Sequence, residues 1–175
     1  MMIRPATFND RAAIWAVFEP VIRAGETFEL PRDMTREAAL AFWMPPGGDV
    51  FVAEAGGAVL GSYYLCAHRG ARRAHVPNGP NGPGSPNGTN VANAGYITAV
   101  TATGRGVARS MCAHSIEHAR TRGFHALQLN FVVSTNDRAV WLWQAMGFAT
   151  VERLAGAFAH PTHGKVDAFV MYRTL

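Results

Sequence analysis

Apolar residues recur at helical spacing in four segments of the chain, and ordinary start and stop signals bound each segment. In the first segment, Ile14, Val17, Phe18 and Ile22 share one face, which is the pattern of an amphipathic helix packed on a core. The predicted helices run from a cap at Asn9 and Asp10 to near Gly25, from Thr35 to before Pro45, from Arg105 to Gly123, and from Thr135 or Asn136 to Gly147.

Between these helices the pattern changes to short apolar or alternating runs, which favour strands. The run 50–66 surrounds Gly56 and Gly57, the composition of a tight turn between antiparallel strands. The run 126–133 is almost continuously apolar, as expected of a central strand covered on both faces. Further strands are predicted at about 2–6, 93–100, 148–154 and 166–173. This order predicts a mixed α/β fold in a single domain spanning residues 1–175.

The segment 67–92 is rich in Pro and Gly and carries no apolar periodicity. Its composition predicts a surface loop inserted within the domain, because the strands on both sides need each other. Residues 76–90 could fold over an acceptor pocket as a lid or form a plain disordered insertion. The sequence leaves both interpretations open.

The composition limits the classes of function. No apolar run approaches the roughly 20 residues of a membrane span, and the N-terminus lacks the apolar block of a secretory signal, so we expect a cytoplasmic protein with no membrane partner. The net charge is +4, but the cations are dispersed and all except Lys165 are Arg, which argues against a nucleic-acid partner. Cys66 and Cys112 fall in separate predicted elements, where we expect reduced thiols.

The stretch TATGRGVARSM, residues 101–111, joins a predicted strand to the third helix. The first N–H groups of a helix have no intrahelical partner and lie at the positive end of its dipole, so they attract an anion. Gly104 and Gly106 would let the backbone approach a diphosphate closely, and Arg105 and Arg109 would add attraction. The stretch contains neither GxxxxGK[ST] nor GxGxxG, so it fits neither of these two phosphate-binding motifs.

The succession GYITAVTATGRGVARSMCAHSIEHARTRGF, followed by LNFVVSTNDRAVWLWQAMGF, resembles the GCN5-related N-acetyltransferases (GNAT), which move acetyl from acetyl-CoA to an amine. Their loop has the form [QR]-x-x-G-x-[GA], with Thr103 here in place of Gln or Arg. Within that superfamily, GETFELP followed by a helix ending in FW is similar to phosphinothricin-type and other small-molecule acetyltransferases. The resemblance implies a mostly antiparallel sheet with a V-shaped splay between strands 4 and 5, flanked by about four helices.

The resemblance also implies where acetyl-CoA binds. The strand residues Tyr96 to Thr98 would line the pantetheine arm, and the amide of Thr98 could stabilise the oxyanion. The pyrophosphate would rest on the loop, and Asn136 would contact the arm from the fourth helix. The expected cofactor-binding residues are Ile97, Thr98, Thr103, Gly104, Arg105, Gly106, Val107, Ala108, Arg109, Asn136 and Trp143.

Two catalytic positions depart from the family pattern. Trp143 stands where many members have a Tyr that protonates the leaving thiolate, and an indole N–H is not a usable acid. Asn93 stands where phosphinothricin-type enzymes have a Glu base; Asn cannot take a proton but could orient water or substrate. Glu29 or Glu26 could then serve as the base, and Tyr96 could replace the missing acid, although each also has a purely structural interpretation.

Three further residues are candidates for the acceptor side. Phe28 would form a pocket wall, and His160, in a predicted turn, could reach the pocket. Asn130 interrupts a buried strand and needs a partner, either the substrate or a structural neighbour. His114 and His118 have ligand spacing on the third helix, but no third ligand is evident, so we expect no metal.

These observations favour an acetyl-CoA-dependent N-acetyltransferase that acts by direct transfer on a small amine, with amino acids and amino-acid-like compounds among the candidates. Two alternatives stay open: an acyl-CoA-binding sensor that has lost catalysis, and an enzyme that modifies a protein N-terminus or lysine. The sequence leaves a homodimer open as well.

Overall fold

The computed structural model describes residues 1–67 and 90–175, so most of the predicted insertion at 67–92 and of the 76–90 lid lies outside the described residues. The strands and helices are β1 (Met2–Pro5), α1 (Arg11–Ala24), α2 (Arg36–Trp43), β2 (Asp49–Ala55), β3 (Ala58–Ala67), β4 (Val91–Thr98), α3 (Val107–Thr121), β5 (Ala126–Val133), α4 (Asp137–Ala145), β6 (Ala149–His160) and β7 (Gly164–Thr174). Short 3-10 turns precede α1 and follow β4. None of the helices in these ranges is long and apolar enough to cross a membrane.

The strands form one mixed sheet in the order β1-β2-β3-β4-β5-β7-β6. The pairs β1–β2, β2–β3, β5–β7 and β6–β7 are antiparallel, whereas β4 and β5 are parallel. The parallel register joins Val91 to Ala126 and Asn93 to Gln128, although β4 continues to Thr98. A short pairing of this kind is what the predicted splay requires, and the mixed α/β fold class is confirmed.

The predicted helix boundaries follow from local chemistry. Gly25 ends α1 with a left-handed φ of 68°, a conformation that favours glycine. Thr35 caps α2, since its side chain accepts a hydrogen bond from the amide of Ala38. Asn136 caps α4 in the same way, by accepting from the amide of Ala139. The helix α3 begins at Val107 rather than Arg105, because Gly106 is still in the left-handed region at φ 76°.

The last two strands are longer than the predicted 148–154 and 166–173. Pairing between β6 and β7 continues past Leu154 through a bulge and resumes at Phe158, opposite Val166. Asp167 fastens the bulge: its carboxylate accepts a hydrogen bond from the amide of Gly156 and pairs with Arg153. The hydrogen bond from the Gly156 amide and, to a smaller extent, the one from Arg153 lower the pKa of Asp167. The sequence prediction was wrong here because the bulge interrupts the apolar alternation without ending the ladder.

Contacts between residues group the chain into two compact units. The first unit contains Met1–Leu65 and Gly95–Ser115, and the second contains the remaining described residues. The core of the first unit joins α1 and α2 to β2 and β4, and its largest fully buried side chains include Phe18, Trp43 and Tyr63. In the second unit Leu127 and Met171 are fully buried, and Trp143 packs edge-on against Phe148.

A charged cluster ties β1 to β2 and to the start of α1. The guanidinium of Arg4 donates two hydrogen bonds of 2.8 Å to the carboxylate of Asp10 and two, of 2.9 and 2.8 Å, to Oε2 of Glu54. The side chain of Asp10 also accepts from the amide of Thr7 at 2.7 Å. Asp10 is buried, and the bonds from Arg4 hold its pKa well below the usual range.

We therefore expect Asp10→Asn to lower the free energy of unfolding at pH 7 by about 2 kcal/mol, since it removes charge-assisted hydrogen bonds at a buried site. The pKa of Asp10 is lower in the folded state than in the unfolded state, where it is about 4. The ionised carboxylate therefore contributes its full stabilisation above pH 4, and this stabilisation is lost as the pH falls towards the folded-state pKa. Urea unfolding between pH 7 and pH 2 should show the two proteins converging on the acid side. The exposed Asp33, changed to Asn, is the control, and a constant difference across this range would contradict the assignment.

Candidate active site

The loop between β4 and α3 is exposed from Thr103 to Gly106. Gly104 and Gly106 have φ values of +78° and +76°, which side chains other than glycine rarely adopt. A Cβ atom at either position would meet nothing within 4 Å. The backbone path therefore requires both glycines, and the space beside them is open to a ligand.

The first helical bond at this end of α3 runs from the amide of Ser110 to the carbonyl of Gly106, at 3.0 Å. The amides of the turn before Ser110 have no carbonyl one turn earlier within the helix, and they lie at its positive end. Within the loop, the amides of Thr103 and Arg105 bond the carbonyls of Val100 and Ala102, which fixes its conformation. The result is an exposed turn with internal hydrogen bonds that is suited to an anion.

Close packing around Gly61 of β3 supports this loop. A Cβ atom at Gly61 would lie 2.8 Å from the carbonyl oxygen of Ile97, 2.9 Å from Met111 and 3.1 Å from Val107. Val107 and Met111 are buried and belong to the first turns of α3. The absence of a side chain at Gly61 thus lets β3, β4 and the start of α3 meet, and a glycine inside a strand pattern is the signal that could have predicted it.

Tyr96 enters a buried polar cluster at the back of β4. Its hydroxyl lies 2.6 Å from Oγ of Ser115, which in turn donates to the carbonyl of Cys112. Burial raises the pKa of Tyr96 well above its ordinary value, which makes the phenol a weaker acid than a free tyrosine. The catalytic role of Tyr96 stays a prediction.

The neighbouring Tyr63 is fully buried, and its ring centroid lies 5.7 Å from that of Tyr96. Its hydroxyl lies 2.6 Å from Nδ1 of His114, and its ring stacks on Phe51. Burial also raises the pKa of Tyr63. Hydrogen-bonded polar side chains in this cluster join β3, β4 and α3. The sequence did not indicate this cluster.

Residues 25–34 connect α1 to α2 and carry Glu26, Phe28 and Glu29. They are here called the acceptor loop because the sequence predicts acceptor-side residues in them. Two arginines fasten its ends: Nε of Arg32 donates to the carbonyl of Arg23 at 2.7 Å, and Arg23 donates back to the carbonyls of Arg32 and Met34. Both glutamates are exposed, whereas Phe28 is partly buried against the core of the first unit.

Aromatic contacts connect the acceptor loop to β4. The ring of Phe28 lies 6.0 Å from that of Trp43, and Trp43 lies 5.1 Å from Tyr64, both in edge-on contact. Tyr64 in turn covers Gly95, where a Cβ atom would lie 2.5 Å from the tyrosine ring. Trp43 is fixed by a 2.9 Å hydrogen bond from its indole to Ser62. Through Tyr64 the loop is thereby connected to Gly95, which directly precedes Tyr96, Ile97 and Thr98 in β4.

The first unit therefore brings together the acceptor-loop candidates, the strand residues 96–98 and the loop residues 103–109. Five other candidates belong to the second unit. Asn130 accepts a 2.8 Å hydrogen bond from Gln128, the structural neighbour anticipated as one of its two partners. Asn93 stands opposite Gln128, Asn136 caps α4, Trp143 is buried, and His160 accepts amide hydrogen bonds in the β6–β7 turn. Their part in catalysis or binding stays a prediction.

Comparison with known proteins bears on the whole chain. Residues 15–148 match the model of the Acetyltransferase (GNAT) family. A GCN5-related N-acetyltransferase from Kribbella flavida is 38% identical, with a TM-score of 0.85 over 99% of this chain and 97% of that one. No curated protein is significantly similar to the sequence.

Two more distant solved structures share the fold. A putative acetyltransferase from Salmonella typhimurium, with its cofactor acetyl-CoA, is 21% identical with a TM-score of 0.80, over 100% of this chain and 94% of that one. A phosphinothricin acetyltransferase from Sinorhizobium meliloti, in complex with acetyl-CoA, is 18% identical with a TM-score of 0.79, over 99% and 88% of the two chains.

Proposed function

The chain belongs to the GNAT acetyltransferase family and is an N-acetyltransferase, and from this premise we propose that it transfers acetyl from acetyl-CoA to the amino group of a small molecule. The observation that carries the proposal is the glycine loop, whose two left-handed residues open space beside the first amides of α3. The fold is shared with relatives solved with acetyl-CoA, which supports the same ligand here.

The residues at the loop fit the phosphate end of acetyl-CoA. Exposed backbone at Gly104 and Gly106 and the following amides of Val107 and Ala108 would hold the pyrophosphate, with charge added by Arg105. Residues 96–98 of β4 would run beside the pantetheine arm.

Bound acetyl-CoA supplies an activated acetyl group on a thioester. The chain must then take a proton from the attacking amine, stabilise the oxyanion and return a proton to the departing thiolate. We assign the first task to Glu29, directly or through water, and the second to the amide of Thr98. Tyr96 is the candidate for the third, and Glu26 is proposed to orient water and substrate.

Glu29→Gln should lower kcat about 100-fold, because an amide cannot accept the proton. The dissociation constant of CoA, measured by calorimetry, should stay at the wild-type value. The exposed Glu37 on α2, changed to Gln, is the matched control and should retain wild-type turnover. Equal activity of the two variants at every pH would rule out Glu29 as the general base.

The function itself is tested by measuring thiol release from acetyl-CoA against a panel of small amines. Amine-dependent release supports the proposed enzyme. Binding of CoA without release above background would favour the acyl-CoA sensor. Faster acetylation of peptides than of every small amine would favour an enzyme that modifies proteins.

A further inference from the structure

Two tyrosine hydroxyls of the sheet contact neighbouring residues of α3. The hydroxyl of Tyr63, on β3, lies 2.6 Å from Nδ1 of His114, and that of Tyr96, on β4, lies 2.6 Å from Oγ of Ser115. Ser115 donates its single hydrogen to the carbonyl of Cys112, so Tyr96 is the donor in its own pair. Of the two partners on α3, the histidine is the one that can gain a proton near neutral pH.

The tautomer of His114 follows from the burial of Tyr63. Tyr63 is fully buried, and burial raises the pKa of its phenol, so the hydroxyl keeps its hydrogen near neutral pH. Within residues 1–67 and 90–175 that hydroxyl has one hydrogen-bond partner, Nδ1 of His114. The phenol therefore donates, and Nδ1 must be unprotonated in order to accept. The contact requires a neutral imidazole that carries its proton on Nε2.

Protonation of His114 would place two donors opposite each other. If the new Nδ1–H donates to the phenol oxygen, the phenol hydrogen needs another acceptor. The groups stacked beside the Tyr63 ring are the aromatic rings of Phe51, at 5.0 Å, and Tyr96, at 5.7 Å. Because a buried donor without an acceptor retains its desolvation cost, the protonated state favours separation of β3 from α3.

The same face of β3 supports the start of α3. Gly61 and Tyr63 are two positions apart on the strand, so they project to the same face of the sheet. At Gly61 the packing is tight, since a Cβ atom would lie 2.9 Å from Met111 and 3.1 Å from Val107. Val107 begins α3 and directly follows the loop proposed to hold the pyrophosphate. A movement of β3 away from His114 would therefore disturb the packing that supports this loop.

Other ionisable groups surround this contact on the neighbouring strands and on α3. In the described part of the chain they are Asp49 on β2, Tyr63 on β3, Tyr96 on β4, and Cys112, Glu117 and His118 on α3. The charge of Asp49 acts on the Tyr63 phenol and favours a proton on a nearby histidine, whereas the phenol hydrogen opposes one. Among these six groups His118 also titrates between about pH 5 and pH 8, so the experiment must separate it from His114.

We propose that the contact between Tyr63 and His114 is a pH-dependent fastening of α3, which is released when His114 gains a proton and which thereby weakens binding of acetyl-CoA in acid. The inference rests on the proposed acetyl-CoA site and adds a regulation of that site. The stabilisation from the contact is complete above the ordinary histidine pKa of about 6.5, and it is lost as the pH falls below that value.

The test compares the wild type with His114→Asn, in which Oδ1 can replace Nδ1 as the acceptor but cannot gain a proton. Calorimetry gives the dissociation constant of CoA at pH 8 and at pH 5.5. The phosphates of CoA also titrate in this range, but they affect every variant alike. The two proteins should bind CoA equally at pH 8, and the wild type should lose about tenfold more affinity at pH 5.5, the effect of one unpaired buried donor.

Tyr63→Phe removes the donor instead of the acceptor. Protonation of His114 then leaves no hydroxyl unpaired, so this variant should also lose the additional pH dependence. His118→Asn is the matched control: it removes a histidine four positions later on α3 and should keep the wild-type pH dependence. Thermal unfolding without CoA should show the same pattern, with the Tm of the wild type falling about 3 °C more than that of His114→Asn between the two pH values.

Two results would overturn the proposal while leaving CoA binding in place. The first is a wild-type affinity that falls no more in acid than that of His114→Asn. The second is a pH dependence that disappears in His118→Asn and persists in the other two variants. A wild type that binds no CoA at either pH would contradict the proposed function as well.

Discussion

Gly106→Glu is expected to weaken CoA binding at least about 100-fold, as measured by calorimetry. Gly106 lies at φ +76°, so any side chain there is strained. The space beside it is open, and a glutamate would fill it with a negative charge where the pyrophosphate is proposed to bind. Strain, steric exclusion and charge repulsion therefore all act in the same direction.

Gly123→Glu is the matched control for this substitution. Gly123 follows the other end of α3 and has a φ of +78°, and a Cβ atom there would likewise meet nothing within 4 Å. Both variants should lose a similar amount of stability from backbone strain, about 1 kcal/mol. Only Gly106→Glu should lose CoA affinity, and wild-type affinity in that variant would refute the role assigned to the loop.

Gly61→Val is expected to lower the free energy of unfolding by about 3 kcal/mol, or Tm by about 6–12 °C, and to weaken CoA binding. The new side chain would meet the backbone carbonyl of Ile97, which cannot rotate away, and the buried Val107 and Met111. This steric clash can be relieved only if β4 or the first turns of α3 shift. These are the segments proposed to hold the pantetheine arm and the pyrophosphate.

Gly95→Ala provides the contrast. The atom that its Cβ would meet is at the end of the Tyr64 side chain, which can move at a smaller cost than backbone. We therefore expect a smaller loss of stability, with CoA affinity close to wild type. Thermal unfolding and calorimetry of both variants separate these outcomes. Equal losses of stability and of CoA affinity in the two variants would mean that the position of Ile97 is not critical for CoA binding.

Features that depend on neighbouring residues could be predicted from the sequence alone. Apolar periodicity located the four helices found in residues 1–67 and 90–175, and the cap residues Thr35 and Asn136 behave as their chemistry predicts. The continuous apolar run 126–133 coincides with β5. Gly104 and Gly106 were predicted to lie in a loop at the start of a helix, and both adopt left-handed conformations that favour glycine.

The catalytic residues were harder to predict from the sequence. Asn93 and Trp143 depart from the family pattern, so resemblance alone offered no base or acid. The hydrogen bond from Tyr96 to Ser115 joins a strand to a helix 19 positions away, and no pattern along the chain indicates that pairing. Whether such a residue is buried or exposed depends on what the fold packs against it.

Which distant segments of the chain meet became visible only in the folded protein. Arg4 reaches Glu54 across 50 positions, β7 lies between β5 and β6, and the β6 ladder continues past its bulge to His160. Only packing could reveal that Gly61 makes room for Ile97, or that the hydroxyl of Tyr63 meets His114. The physical reason is that backbone conformation is set largely by near neighbours, whereas burial and hydrogen-bond satisfaction depend on side chains that the chain brings together only when it folds.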